Sequence, residues 1–182
     1  MDISAAQRDM ARVHVRGAPG VLVSGLVWLI AGWLWLNQGV ANGFYALFVG
    51  GMLIFPLSLL LSRAVFRAPA RTKGNPLERL ALESTFILFA GILLAWSFLR
   101  VSPELSFPAM AVAIGVRYFV FRTIYGSVVY WFLGGVIALL GAAMALTTLE
   151  LPVNLALVVG AIEVVVSLVL FLSGRGDRPD PA

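Results

Sequence analysis

Six long apolar runs dominate this chain, and they decide what it can fold into. They lie at about Pro19–Leu36, Val40–Leu61, Pro76–Leu99, Phe107–Phe121, Ser127–Leu146 and Pro152–Leu172. With about 1.5 Å of rise per residue, helices of such lengths match a hydrocarbon core roughly 30 Å thick. Backbone amides inside lipid find no water, so a spanning segment must satisfy its own hydrogen bonds as a helix or in a closed barrel. The alternating polar-in pattern of barrel strands is absent. The expected fold is therefore all-α, a polytopic membrane protein with six transmembrane helices in one bundle. Composition agrees, since only 12% of residues are charged where soluble domains carry about 25%. Residues 18–173 form the expected transmembrane domain, between an N-terminal segment 1–17 and a disordered tail 174–182.

The thirteen Lys and Arg give the bundle an orientation. Arg8, Arg12 and Arg16 precede the first run, and Arg63, Arg67, Arg71, Lys73 and Arg79 gather between the second and third. Arg117 and Arg122 lie toward the end of the fourth, and Arg175 and Arg178 follow the sixth. Six crossings put all of these on one side and leave only Arg100 on the other. Cationic loops stay in the cytoplasm, so both termini are expected there. Trp33, Trp35 and Trp96 then fall near outer ends, and Tyr130 and Trp131 near an inner end, as interfacial aromatics do. The net charge of +4 is thereby explained by topology and anionic lipid, and no nucleic-acid partner is expected.

Shorter features fill in the ends. "MDISAAQRDMARVHVR" places Ile3, Ala6, Met10 and Val13 at helical spacing. This reads either as an amphipathic helix on the inner leaflet or as a frayed tail. The polar first sixteen residues do not resemble a cleavable signal peptide. In "TKGNPLERL", Asn75 is placed to cap the third span, Pro76 to occupy its first helical position, and Glu78 to follow three residues after the cap. Pro152 is expected to open the sixth span in the same way. Pro56 interrupts the second span one turn after Gly50 and Gly51, which predicts a kink.

Three ionisable residues lie within the spans: Glu83, Arg117 and Glu163. A charge at the bilayer centre costs about 2.5–3.5 kcal/mol on insertion scales, so each needs a partner, water or neutralisation. Helical rise puts Arg117 roughly 14 Å and Glu163 roughly 16 Å from the outer surface, with Glu83 roughly 10 Å from the inner one. The expectation is an Arg117–Glu163 ion pair, with Glu83 sharing Arg117 or facing a cytoplasmic vestibule. Ala156, Gly160, Glu163 and Ser167 share one face of the sixth span, which should face protein, while Val158, Val165, Val169 and Leu172 should face lipid. Gly134, Ala138 and Ala142 form a second small-residue stripe.

Chemistry of other kinds has little to stand on. There are no cysteines and one histidine, His14, so no metal site or cofactor is expected. No G-x-S-x-G, H-E-x-x-H or P-loop occurs, and the single lysine, Lys73, lies in a loop. No catalytic residue is assigned, and an enzyme is the less favoured reading.

"NPLERL" (Asn75–Leu80), the proline-bearing second span and "GVRYFVFRTIY" (Gly115–Tyr125) resemble a bacterial family of small multi-helix membrane proteins defined as a domain of unknown function. The resemblance runs from about Arg16 to about Leu140 and implies an inner-membrane helical bundle without supplying an activity. Near position 117, where that family carries a histidine or an apolar residue, this chain has arginine.

Two functions stay open on these residues. One is a small transporter or channel-like protein with a polar site of Glu163, Arg117 and Glu83. The other is a non-catalytic membrane scaffold or partner-binding protein in which the buried charges are structural. The partners expected are the lipid bilayer, a small polar or ionic ligand for the first reading, and a second copy of the chain for the second.

Overall fold

The computed structural model describes residues 2–69, 74–147 and 151–173. Every regular element among them is helical: α1 Ile3–Val13, α2 Ala18–Gln38, α3 Val40–Ala64, α4 Pro76–Glu83, α5 Thr85–Val101, α6 Ser106–Tyr125, α7 Val129–Leu146 and α8 Leu155–Ser173. Counting α4 and α5 as one crossing, six helical segments are long and apolar enough to span a membrane. The chain is a polytopic membrane bundle. The expected tail 174–182, Arg71 and Lys73 lie outside the described residues.

Packing organises the bundle around two helices. α2 packs along both α3 and α8, and α6 packs along both α5 and α7. α2 and α6 are accordingly the most buried, at 44% of their apolar windows, while α3 is only 11% buried and turns most of its side chains outward to lipid. The neighbours of α6 leave Arg117 half-buried, while Arg122 lies exposed in its last turn. Close helix approach is set by small residues. A Cβ on Gly25 of α2 would stand 2.9 Å from the Gly160 carbonyl oxygen of α8, and one on Gly160 would stand 2.8 Å from that of Gly25. Gly134 and Ala138 of α7 serve α6 similarly, facing Gly115.

Several expectations hold in detail. Asn75 Oδ1 accepts the Leu77 amide at 3.0 Å, Pro76 opens α4, and Glu78 lies in its first turn. Ala156, Gly160, Glu163 and Ser167 are buried on α8, and Val165, Val169 and Leu172 are exposed, whereas Val158 is half-buried. At Pro56, where the sequence predicts a kink, α3 continues as one helix from Val40 to Ala64.

Others are corrected. α8 begins at Leu155, three residues past Pro152, because Asn154 caps it by accepting the Leu157 amide at 3.1 Å. The Asn154 amide also donates to the Gly32 carbonyl of α2 at 2.9 Å, fastening the two helix ends together. α1 is a formed helix with Ala6, Met10 and Val13 buried on one face. Its Ala6 and Met10 join Leu77 of α4 and Ile124 of α6 in a small core of their own. Asn75 holds it there by donating to the Ala6 carbonyl and to Asp9 Oδ2, both at 3.0 Å. Gln7 adds a bond to the Thr123 carbonyl at 2.8 Å, occupying an acceptor in the last turn of α6.

Candidate functional site

Glu163 is fully buried midway along α8. Its carboxylate oxygen Oε1 accepts a hydrogen bond of 2.6 Å from the phenol of Tyr118 on α6. Ser24 of α2 lies beside both groups. The second oxygen, Oε2, is buried with no hydrogen-bond partner. Three helices thus converge on one carboxyl, and local sequence explains why. Gly25 meets Gly160 backbone to backbone, so the neighbouring Ser24 is brought close to Glu163, one turn further along α8. Tyr118 follows Gly115 by three residues, which puts it on the side of α6 that meets α7.

The expected ion pair does not form. Arg117 and Tyr118 are adjacent, and adjacent helical residues point about 100° apart. Tyr118 therefore takes the direction of Glu163, and Arg117 turns away. Its Nε donates to Ser84 Oγ at 3.3 Å, and its guanidinium lies 4.9 Å from the Phe121 ring centre. No carboxylate lies within ion-pairing distance of Arg117 among the described residues. Glu83 is not an interior residue either. It ends α4, is exposed, and pairs with Arg79 one turn back at 3.0 Å. Of the three candidates, only Glu163 occupies the bundle interior as a polar site.

Aromatic groups extend the site toward the end of the bundle that carries α1. Tyr118 stacks on Tyr130 with 5.9 Å between ring centres, and Tyr130 stacks on Tyr125 at 5.5 Å. The Tyr130 phenol donates to the Arg16 carbonyl at 2.7 Å. In the other direction, Trp28 follows Ser24 by one turn of α2 and packs against Phe107 at 5.9 Å. Phe107 also stacks with Trp35 and meets Phe44 edge-on. The Trp28 indole nitrogen and the Ser106 hydroxyl are buried without partners, like Glu163 Oε2. Buried polar atoms normally find a protein or ordered-water partner.

A family model described as a family of unknown function, DUF7010, matches residues 3–173. The chain belongs to DUF7010. No curated protein and no solved structure matches it. The match to DUF7010 begins at the first residue of α1 and ends with α8, so the docked N-terminal helix is part of the family's unit. Among the described residues no group of three or more His, Asp or Glu side chains is placed to hold a metal ion.

Sequence reasoning found Glu163 and missed the residues around it. Tyr118, Ser24 and Trp28 are polar-tipped residues inside apolar runs, and that signal was readable. A buried phenol, hydroxyl or indole needs a partner. Which one each meets depends on the rotation of three helices, which apolar runs leave open.

Proposed function

We propose that this DUF7010 member is a small transporter or channel-like protein in which Glu163 binds and releases a proton or small cation. The observation that carries the reading is the state of the carboxyl: wholly buried, bonded by Tyr118 on one oxygen, unpartnered on the other, and without a cation against it. An ionised acid kept dry in this way is costly, whereas an acid that exchanges its proton or ion has a use for an open oxygen. The orphaned Trp28 and Ser106 groups and the Tyr118–Tyr130–Tyr125 stack supply polar atoms on either side of it. Arg117 belongs to the scaffold in this reading, held by Ser84 and Phe121. The bundle sits in a bacterial inner membrane with both termini cytoplasmic, which the one-sided distribution of arginine supports.

The test is flux in sealed vesicles. Purified chain in liposomes carrying a pH-sensitive dye, under a potassium gradient with valinomycin, should show proton movement that Glu163→Gln abolishes. Ion-selective dyes extend the assay to sodium and potassium. Wild-type vesicles as tight as empty ones to all three ions would end the transport reading.

A second reading rests on one specific observation. α6 and α8 touch only sparsely, and the Tyr118–Glu163 bond joins them across the interior. In a non-catalytic scaffold that bond locks the helices of the α2 group to those of the α6 group, and the exposed faces of α3 and α5 receive a partner or a second copy. A Glu163→Gln variant that loses stability in the absence of any wild-type flux supports this alternative.

A further inference from the structure

The two carboxyl oxygens of Glu163 have different surroundings. Oε1 accepts from the Tyr118 phenol, while Oε2, also buried, receives no donor. We infer that the ion exchanged at Glu163 is a proton carried on Oε2, and that sodium and potassium are excluded, an assignment that rests on the exchange reading above and names its ion. An ionised carboxylate presents acceptor sites on both oxygens and draws charge-assisted donors to them. A neutral carboxyl instead accepts on its carbonyl oxygen and carries a donor on its hydroxyl. Glu163 has the second pattern: a donor on Oε1, none on Oε2, and the Ser24 hydroxyl beside the carboxyl with lone pairs to accept a hydrogen.

A metal cation would need more oxygen than the site holds. Protein sites for hard cations such as calcium and magnesium gather about six or more oxygen ligands, and a potassium filter replaces the hydration shell with backbone carbonyls. Membrane transporters that bind sodium obtain such carbonyls from helices unwound at the site. Here α2, α6 and α8 run unbroken past Ser24, Tyr118 and Glu163, so their carbonyls stay in the helical ladder. Side-chain oxygens remain: the carboxyl pair, the Tyr118 phenol and the Ser24 hydroxyl. Ser167, one turn along α8, gives its hydroxyl hydrogen to the Val164 carbonyl at 2.7 Å. The phenol hydrogen also takes a lone-pair position on Oε1 that a cation would need. The elements packed on α8 are chiefly α2, α7, α6 and the turn Val15–Gly17. α2 carries no ionisable side chain, and α7 carries only Tyr130, whose phenol donates to the carbonyl of Arg16 in that turn. α6 carries Tyr118, Tyr125 and two arginines, of which Arg117 is turned to Ser84 and Arg122 is exposed. No described residue forms an ion pair with Glu163.

The experiment is infrared difference spectroscopy on the full chain reconstituted in phosphatidylcholine bilayers, with buffers exchanged over one film. Wild type should show the carbonyl stretch of a protonated carboxyl, and Glu163→Gln should lack it. Tyr118→Phe should move that band to higher frequency, because the carbonyl loses its hydrogen bond. That shift identifies the band even where Glu163→Gln does not fold. Raising the pH should replace the band with carboxylate absorption. Replacing choline by sodium or potassium at fixed pH should leave its area unchanged. The proposal is overturned if wild type shows no such band at any pH, if the band does not titrate, if Tyr118→Phe leaves its frequency unchanged, or if sodium or potassium diminishes it. The vesicle assay separates this outcome from that of the transport reading. Vesicles tight to protons, with a titrating band indifferent to both cations, end the transport reading and leave the proton assignment standing. Sodium or potassium flux, with a band that falls in those salts, ends the proton assignment and leaves transport standing.

Discussion

Removing the Tyr118 hydroxyl should destabilise the bundle, and removing its acceptor as well should restore most of the loss. Tyr118→Phe deletes the phenol that donates to Glu163 at 2.6 Å and leaves a carboxyl whose other oxygen already lacks a partner. Leaving a buried polar group unsatisfied costs about 1–3 kcal/mol in proteins generally. Hydrogen bonds between membrane helices average nearer 0.6 kcal/mol and reach about 1.7, because the unfolded helices find other partners in the bilayer. With Ser24 alone beside the stranded carboxyl, the upper end applies, and Tyr118→Phe should cost about 1.5 kcal/mol. Glu163→Leu strands the phenol instead and should cost about 1 kcal/mol, since Ser24 is there to receive it. The double variant leaves neither group and should lie within about 1 kcal/mol of wild type. The assay is a double-mutant cycle on reversible unfolding by sodium dodecyl sulfate titrated into micelles, read by far-ultraviolet circular dichroism. A coupling energy above about 1 kcal/mol is the expected result. Additivity within about 0.5 kcal/mol would refute the claim that this bond joins α6 to α8.

Arg117→Gln combined with Glu163→Gln should be additive in the same titration, because the two residues are not paired, whereas an ion pair would show coupling above about 1 kcal/mol. Asn75→Ala removes the α4 cap and both ties to α1, and should cost about 2 kcal/mol. Its signature is faster amide exchange over residues 3–13 with α5 unchanged, and equal protection in both proteins would contradict it. Gly160→Val puts side-chain atoms into the Gly25 carbonyl and should cost about 3 kcal/mol or prevent folding, measured as loss of the monodisperse peak in size-exclusion chromatography. Gly51→Ala, at an open lipid-facing position, is its neutral counterpart.

How much of this was legible beforehand differs by level. The six crossings and the buried face of α8 follow from hydropathy and from residue size at helical spacing, both local properties. The Asn75 cap is local as well, because a cap is a contact between a side chain and the amide two residues on. Its donor side was not legible, since the partners in α1 are 66 and 69 residues away. Helical rise predicted similar depths for Arg117 and Glu163, and the residue beside Arg117, Tyr118, does meet Glu163, yet depth along an axis says nothing about rotation around it. One step of about 100° exchanges Arg117 for Tyr118.

The sequence by itself determined that this chain lives in a bilayer, how many times it crosses, and that Glu163 lies on a face turned to protein. These follow because lipid penalises exposed backbone and charge wherever they occur in the chain. Only the tertiary structure decided what Glu163 meets, that Glu83 faces outward to Arg79, and that α1 packs against α4 and α6. Those outcomes depend on which helix pairs approach through Gly25–Gly160 and Gly115–Gly134, and on the rotation those contacts impose. The apolar surfaces that carry the helices into the membrane are too alike to specify that rotation, so close packing at a few small residues does so instead.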